Sequence, residues 1–475
     1  AFTNNYLKVT PDSSRIWTKD TLTGFGVQNI NGANKTSYMQ LTPYNYFIGH
    51  ESGKSIITGR YNSFIGYQSG CNNTSGSKNC FIGYKAGYTN SDGFNNIFIG
   101  DSSGFSNTIG NYNVFIGNES GHFNTTGTFN VAIGDQSFFS NTQGSYNVVM
   151  GYQALYNNTF GYDNTAIGNE ALYYNTTAHW NVANGFRALY SNSTGTVNNA
   201  YGAESLYNNT IGNCNVANGS RTLYFNTTGS YNAANGYQAL YSNTTGVNNT
   251  ADGTVSLFYN STGSFNTAVG YQSLYNNITG NFNTALGYAA YANSSNTNST
   301  ALGYNAAISA SNQVRLGNIA VTSIGGFADW SNVSDFRFKT NIQENVPGLE
   351  FILKLRPITY YMDMDNIAVF MKTPDSLRLW DAERIKGEML QTGFIAQDVE
   401  KAANEIGFNF SGIDKPKNDN DFYGLRYAEF TVPLVKAVQE QQKMIEDLKT
   451  KNNDLQIINQ SLIKRIEALE KTLKK

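Results

Sequence analysis

From position 45 onward the chain repeats one short pattern: an Asn, a variable residue, two mostly apolar residues and a glycine. The glycines fall at 49, 66, 83, 100, 117, 134, 151, 168, 185, 202, 219, 236, 253, 270 and 287, in steps of 17. Counted from that glycine, position −4 is Asn in all 15 copies, from Asn45 to Asn283. Position +7 is Asn without a break from Asn73 to Asn277, and +10 is Gly almost throughout, with Ala178 the exception. Position +3 is always Ser, Ala or Thr. The unit is too short for a helix pair, and its glycines and β-like alternation exclude a helix. It suits one turn of a parallel β-roll or β-solenoid, each coil lying on the last at about 4.8 Å. Fifteen such coils predict a rod of roughly 70 Å. In it, equivalent Asn side chains stack into ladders and the glycines permit positive φ at the corners.

Two columns change together. At −2 the first five copies carry Phe (Phe47, Phe64, Phe81, Phe98, Phe115) with Gly at +4 (Gly53, Gly70, Gly87, Gly104, Gly121). Later copies carry Ala at −2, as at Ala166 and Ala183, and Leu at +4, as at Leu172 and Leu189. The crossover is Ala132 with Phe138. Large-with-small becoming small-with-large keeps interior volume constant, so −2 and +4 are expected to face each other inside the coil. Positions −3 and −1 then point to the opposite side of the strand. Position −1 is Ile in most early copies (Ile48, Ile65, Ile82, Ile99), and a strand apolar on both faces needs cover on both. A coil this thin finds its second cover in another chain. The −1 column turns polar at Asn184, Asn218, Asn235 and Asp252, with Tyr201 among them. Those residues predict a wet layer in the contact: a water-bridged Asn ladder is favoured over an axial ion site, and no other metal or cofactor site is expected.

Other columns leave two readings open. Tyr recurs at +5 (Tyr156, Tyr173, Tyr190, Tyr207, Tyr224, Tyr241, Tyr275), a stripe that is core if buried and a sugar-stacking surface if exposed. Thr at +8 (Thr74, Thr108, Thr125, Thr142, Thr159) fits a flat Thr array for ice or mineral, and equally ordinary turn chemistry. Asn-x-Thr matches at Asn72 and Asn124 are repeat-turn residues first and glycan acceptors second.

Only 14% of the 475 residues are charged, and the net charge of −2 excludes a nucleic-acid footprint. Aromatics at 14% exclude a disordered chain. No apolar run is long enough to span a bilayer, so membrane insertion is not expected. Three cysteines (Cys71, Cys80, Cys214) define no disulfide framework. Charge is uneven: 17 charged residues fall at positions 46–330, and 43 at 331–475. The expected organisation is a cap or connector at 1–44, with apolar pieces at 6–9 and 25–30, and a repeat shaft at 45–325. A globular module at 331–430 and a coiled coil at 431–475 complete it. The chain opens at Ala1 rather than Met, which is consistent with removal of an upstream segment. Positions 46–330 hold only ten acidic residues, scattered over different columns, where glycoside hydrolysis needs two nearby carboxylates.

Past Gly287 the register shortens, and the text reads Asn-Thr-Ala-Leu-Gly-Tyr-Ala-Ala (283–290), Ser-Thr-Ala-Leu-Gly-Tyr-Asn-Ala (299–306) and Val-Arg-Leu-Gly-Asn (314–318). Over roughly 45–320 the sequence resembles the head repeats of trimeric autotransporter adhesins, a resemblance that implies a parallel β-roll with three chains about an axis. The C-terminal region carries Ser-Asp-Phe-Arg-Phe-Lys-Thr-Asn-Ile (334–342), Leu-Lys-Leu-Arg-Pro-Ile-Thr-Tyr-Tyr (353–361) and Thr-Gly-Phe-Ile-Ala-Gln-Asp-Val-Glu (392–400). Leu-Arg-Tyr-Ala-Glu-Phe-Thr-Val-Pro-Leu (425–434) follows. These blocks resemble the intramolecular chaperone domain that ends phage tail spikes, tail fibres and endosialidases. The resemblance implies a homotrimer, chaperoned folding of the upstream fibre, and self-cleavage by Ser334 as nucleophile and Lys339 as base at the bond between Val333 and Ser334. It also implies an extracellular fibre that meets a cell-surface glycan or other receptor and joins an upstream fibre or baseplate component. A polysaccharide-degrading tail spike is the alternative. Asp335, Arg337 and Asn341 match the pattern without an assigned role.

The last segment follows a heptad without a slip: Leu434, Val438, Gln441, Ile445, Leu448, Asn452, Leu455, Asn459, Leu462, Ile466, Leu469 and Leu473. Asn452 and Asn459, at a positions, cost stability and pin the register. The pattern predicts a coiled coil; three strands is what both resemblances imply.

Overall fold

The computed structural model describes residues 7–10, 13–16, 25–28, 37–291, 295–328 and 330–473, and the chain divides into two compact units, 1–318 and 319–475. In the first unit, short strands run from Asn45–Ile48 and Asn62–Ile65 to Thr300–Leu302 and Val314–Leu316, each parallel to its copy one coil away. The register advances by one repeat per strand, so Ala132 lies between Phe115 and Val149. This is the β-solenoid of 17-residue turns that the glycine spacing predicts. The stack begins with antiparallel pairing of Phe25–Gln28 on Ser37–Leu41, and of Ser37–Leu41 on Asn45–Ile48. Leu7–Thr10 pairs with Ser13–Ile16. Most of the remainder of 1–36, including Tyr6 and residues 29–30 of the apolar pieces, lies outside the described residues.

The second unit is a small α+β module. Antiparallel strands Ile358–Tyr360 and Gln391–Gly393 flank helices Met364–Phe370 and Trp380–Gly387 in the chain, and helix Ala396–Glu405 follows. Phe351, Val399, Ala402, Ala403, Phe410 and Phe430 form its core. The 43-residue helix Thr431–Leu473 is rooted there by its first turns, where Pro433 and Ala437 are buried. Glu440 on that helix accepts the backbone N–H of Leu349 at 2.8 Å, capping the short helix Leu349–Ile352. From Gln441 to Leu473 every residue is exposed.

Inside the solenoid both Asn columns are buried and bonded. In the −4 column, the backbone N–H of Asn164 donates to Asn147 Oδ1 at 3.0 Å. In the +7 column, Asn158 Nδ2 donates to Asn141 Oδ1 at 2.9 Å, and Asn175 Nδ2 donates to Asn158 Oδ1 at 2.8 Å. The columns meet at the +10 carbonyl: Gly161 O accepts from Asn147 Nδ2 and from Asn158 Nδ2, both at 3.0 Å. A carbonyl has two lone pairs, and here both are used.

That meeting point corrects the expected role of one glycine column. The anchor Gly151 has φ +138°, and a Cβ there would clash with the Gly168 carbonyl. Gly161 needs no positive φ; a Cβ there would lie 2.8 Å from Asn175 Nδ2 and closer still to Asn158 Oδ1. The +10 glycine makes room for the amide ladders, and Ala178 is the one copy that fits a methyl, buried and accepting from Asn164 and Asn175.

The −2 and +4 columns do face each other. A Cβ on Gly104 would meet the Phe98 ring at 2.6 Å, and the five early Phe rings stack at 4.7 to 5.1 Å. Position +4 is also left-handed: Leu155, Leu172 and Leu189 have φ of 50°, 54° and 52°. Glycine there is free of strain, while Leu carries about 1–2 kcal/mol. Complete burial of the Leu side chain, about 1.5–3 kcal/mol, offsets it. Phe98→Ala is therefore expected to cost about 3–5 kcal/mol, and Gly104→Leu alone to destabilise by overpacking. The double variant Phe98→Ala/Gly104→Leu recovers stability to within about 2 kcal/mol of the parent, read from denaturant unfolding of the solenoid.

Candidate functional site

Ser334 and Lys339 sit at the two ends of one tight turn. Residues Phe336–Phe338 form a 3-10 helix whose N-cap is Asp335, with the Asp335 carboxylate accepting the Arg337 backbone N–H at 2.9 Å. The Arg337 guanidinium also grips Asp335, at 2.6 Å, and holds its carboxyl below the usual carboxylate range. Lys339 N donates to Phe336 O and closes the turn. The result brings Lys339 Nζ to Ser334 Oγ at 2.8 Å, the lysine donating. Both side chains are exposed in the single chain. Asp335 and Arg337, to which the sequence assigned no role, build the turn that closes this pair.

The surfaces expected to need cover are uncovered in one chain. On the outer face of the solenoid strand, Ile48, Ile65, Ile82, Met150 and Leu286 are all exposed, Ile65 at 41% and Leu286 at 52%. Along the long helix the heptad residues Leu434, Val438, Ile445, Leu448, Leu455, Leu462, Ile466 and Leu469 are exposed as well. Of the polar layer, Asn184, Asn218, Asn235 and Asp252 lie exposed on the same solenoid face, and Asn218 Nδ2 donates to Asn235 Oδ1 at 2.8 Å. Among the described residues no cluster of three or more His, Cys, Asp or Glu could hold a metal ion. The +2 glutamates are engaged along their column: Glu170 with Arg187 at 2.5 Å, Glu204 with Arg221 at 2.7 Å, and Glu119 with Gln136 at 2.8 Å.

The +5 tyrosines are neither buried core nor open platforms. They are half-buried and stacked on one another, as in Tyr190–Tyr207 at 5.0 Å and 5° and Tyr207–Tyr224 at 5.1 Å and 6°. Stacking uses up the ring faces that a sugar would need. Four aromatics at +6 behave differently: Phe123, Tyr174, Phe225 and Tyr259 are exposed and stand nearly perpendicular to the column. Tyr174 lies 4.8 Å from Tyr173 and 5.2 Å from Tyr190, at 81° and 85°, so it spans the edges of two stacked rings. Burial first, and then the Tyr174 phenol, push Tyr190 up to about 12. The +8 hydroxyls are taken by the backbone, as Thr108 Oγ1 donates to Thr125 O at 3.0 Å and Thr125 Oγ1 to Thr142 O at 2.9 Å. Asn124 is fully buried in its ladder, which removes it as a glycan acceptor on the folded chain.

Residues 334–408 match the family model described as Chaperone of endosialidase. Neither the search of curated proteins nor that of solved structures gave a match. The chain thus carries a C-terminal endosialidase-type intramolecular chaperone domain after a long β-solenoid. Domains of this family act in trimeric proteins and are typical of phage tail proteins. Among the described residues no helix is long and apolar enough to cross a membrane.

Sequence reasoning passed over several residues that matter here. Arg378 and Glu383 form a buried ion pair at 2.7 Å, with the guanidinium 3.8 Å above the Trp380 ring. The +6 rings were hidden because they recur only at intervals of two or three coils. His122 continues the +5 stack between Phe105 and Phe139, at 5.0 and 5.3 Å. Burial holds the His122 imidazole below its ordinary 6.5, against weaker opposing pulls from Glu119 and Asp101. The unfolded chain therefore binds the proton more readily, and this contribution to stability, complete above pH 6.5, is lost as pH falls below it. Thermal unfolding compared at pH 7.5 and pH 5 should show a larger acid-induced drop for the parent than for His122→Phe, which keeps the stack without the titration.

Proposed function

We propose that this chain is the distal part of a trimeric extracellular attachment fibre, of a phage tail, a contractile injection machine or a bacterial surface adhesin. The observation that carries the reading is the pair of uncovered apolar stripes, one on the solenoid strand face and one on the heptad helix, joined to a chaperone-type domain. Three copies of the helix bury their stripe first and bring three chains into register. The solenoids then cover their −1 columns against each other, with residues 184–252 forming a wet layer. Non-local β pairing is slow to nucleate, and a clamp beside the first coils to form shortens that search.

The same domain cuts itself off. Ser334 Oγ attacks the Val333 carbonyl carbon while neutral Lys339 takes the hydroxyl proton, reversing the hydrogen bond described above. The C–N bond breaks as Lys339 returns the proton to the leaving Ser334 amine, and an ester remains between Val333 and Oγ. Water hydrolyses that ester, giving a carboxylate at Val333 and free Ser334 with its hydroxyl restored. Lysine acts as a base only when its ammonium is desolvated, and in this reading the assembled trimer supplies the cover. The partner of the mature fibre is a surface glycan, met by the outward +6 rings, whose flat faces suit sugar C–H groups where the stacked +5 rings do not.

Mass measurement of the expressed chain should give a fragment ending at Val333, absent from Ser334→Ala and from Lys339→Met. An uncut parent chain would leave the domain as a permanent tip. On a panel of bacterial surface polysaccharides, Tyr174→Ala/Phe225→Ala should lower retention about tenfold or more, equivalent to about 1.4 kcal/mol, while Tyr207→Phe leaves it unchanged.

A further inference from the structure

Lys386 makes a contact that neither the sequence motifs nor the proposed cleavage chemistry uses. It lies on helix Trp380–Gly387, and its Nζ donates to the carbonyl oxygens of Ile319 at 2.7 Å and Val321 at 2.8 Å, 67 and 65 residues earlier in the chain. Ile319 and Ala320 lie in a turn after the last solenoid strand, and the Ile319 and Val321 carbonyls both come within reach of one ammonium. The amine is half-buried, and burial pulls it below the ordinary lysine range. Two carboxylates on or at the end of its helix are engaged by other groups. Glu383 binds Arg378 and the Leu379 N–H, and Glu388 binds Arg384. The two carbonyls are thus the compensation for a desolvated charge. Because the contact is to main chain, it reads the backbone of that turn rather than particular side chains. Ala320, between the two acceptors, is buried, whereas residues 322–328 and 330–333 are exposed.

The position of the contact gives it a consequence. Ile319 and Val321 precede the bond between Val333 and Ser334, and Lys386 follows it. We infer that Lys386 is the grip by which the chaperone unit holds the outgoing main chain of the fibre. Resting on the self-cleavage reading, this means the two products stay together after the cut until the grip is broken. Lys386 is a positioning residue: it holds the main chain at Ile319–Val321, upstream of the scissile bond, and takes no part in the bond chemistry.

The test makes the cut independently of Ser334. A protease recognition sequence replaces exposed residues 325–328 in the full-length Ser334→Ala chain, and the added protease severs it downstream of Val321. Native size-exclusion chromatography then follows the two fragments. They should co-elute with Lys386 in place, separate at least tenfold faster in Lys386→Met (about one charge-assisted hydrogen bond), and co-elute again in Lys386→Arg, which keeps its donors. Far-ultraviolet dichroism checks that the Met variant keeps its helices; if it does not, Lys386→Gln reads the same loss of charge. Immediate separation of the parent fragments, or undiminished co-elution in a folded uncharged variant, overturns the inference. Failure of the unmodified chain to cut itself would sink only the self-cleavage reading.

Discussion

Each regular coil of the solenoid hides two asparagine amides from water, and those amides are completed by partners in the coils above and below. An unpaired buried amide costs about 1–3 kcal/mol, while a satisfied one contributes about 1. The 17-residue register is therefore stringent: a slip of one residue would strand both ladders and turn the Phe or Leu column outward. Asn147 and Asn158 converge on the single carbonyl of Gly161, so the glycine at +10, the fixed Asn spacing and the length of the coil are one constraint. Polar ladders specify how the coils stack; the −2 and +4 columns fill the remaining interior with interchangeable apolar volume.

The same constraint makes the fold hard to start. The first coil of an isolated stack has amides with a partner on one side only, and its gain comes only as further coils arrive. A thin coil also leaves the strand's second face, with Ile65 and its neighbours, open to water. In the proposed assembly both difficulties have one remedy, since three chains aligned by the C-terminal helices can zip together with their −1 columns in contact. In that proposed assembly a chaperone is needed for building the rod and dispensable once it stands. That difference would give the proposed self-cleavage a purpose, and the inferred Lys386 grip a role in timing the release.

Much of this was legible because periodicity repeats the evidence. The Asn ladders at −4 and +7, the facing −2 and +4 columns, the crossover at Ala132 and Phe138, and the −1 face needing cover could be read from spacing and volume alone. What escaped was local backbone geometry and contact across long separations. The left-handed φ at Leu155 gives no sign in a column read as simple packing, and the +10 glycine was credited with torsional freedom when it makes room for two amides. The +5 tyrosines could not reveal that their faces are spent on each other. Ser334 and Lys339 were visible only through the resemblance of the surrounding block. Lys386 has no periodic partner and reaches 65 and 67 residues back, so nothing in the linear text announces it.

The most direct measurement is the native mass of purified full-length Ser334→Ala chain by light scattering on a size-exclusion column, joined to hydrogen exchange across the −1 strands. Three chains of 52.2 kDa, about 157 kDa together, are expected, with protected amides along the solenoid. A well-folded 52.2 kDa species whose solenoid amides are equally protected would contradict the account, because one chain would then suffice to shelter the face that three are held to cover.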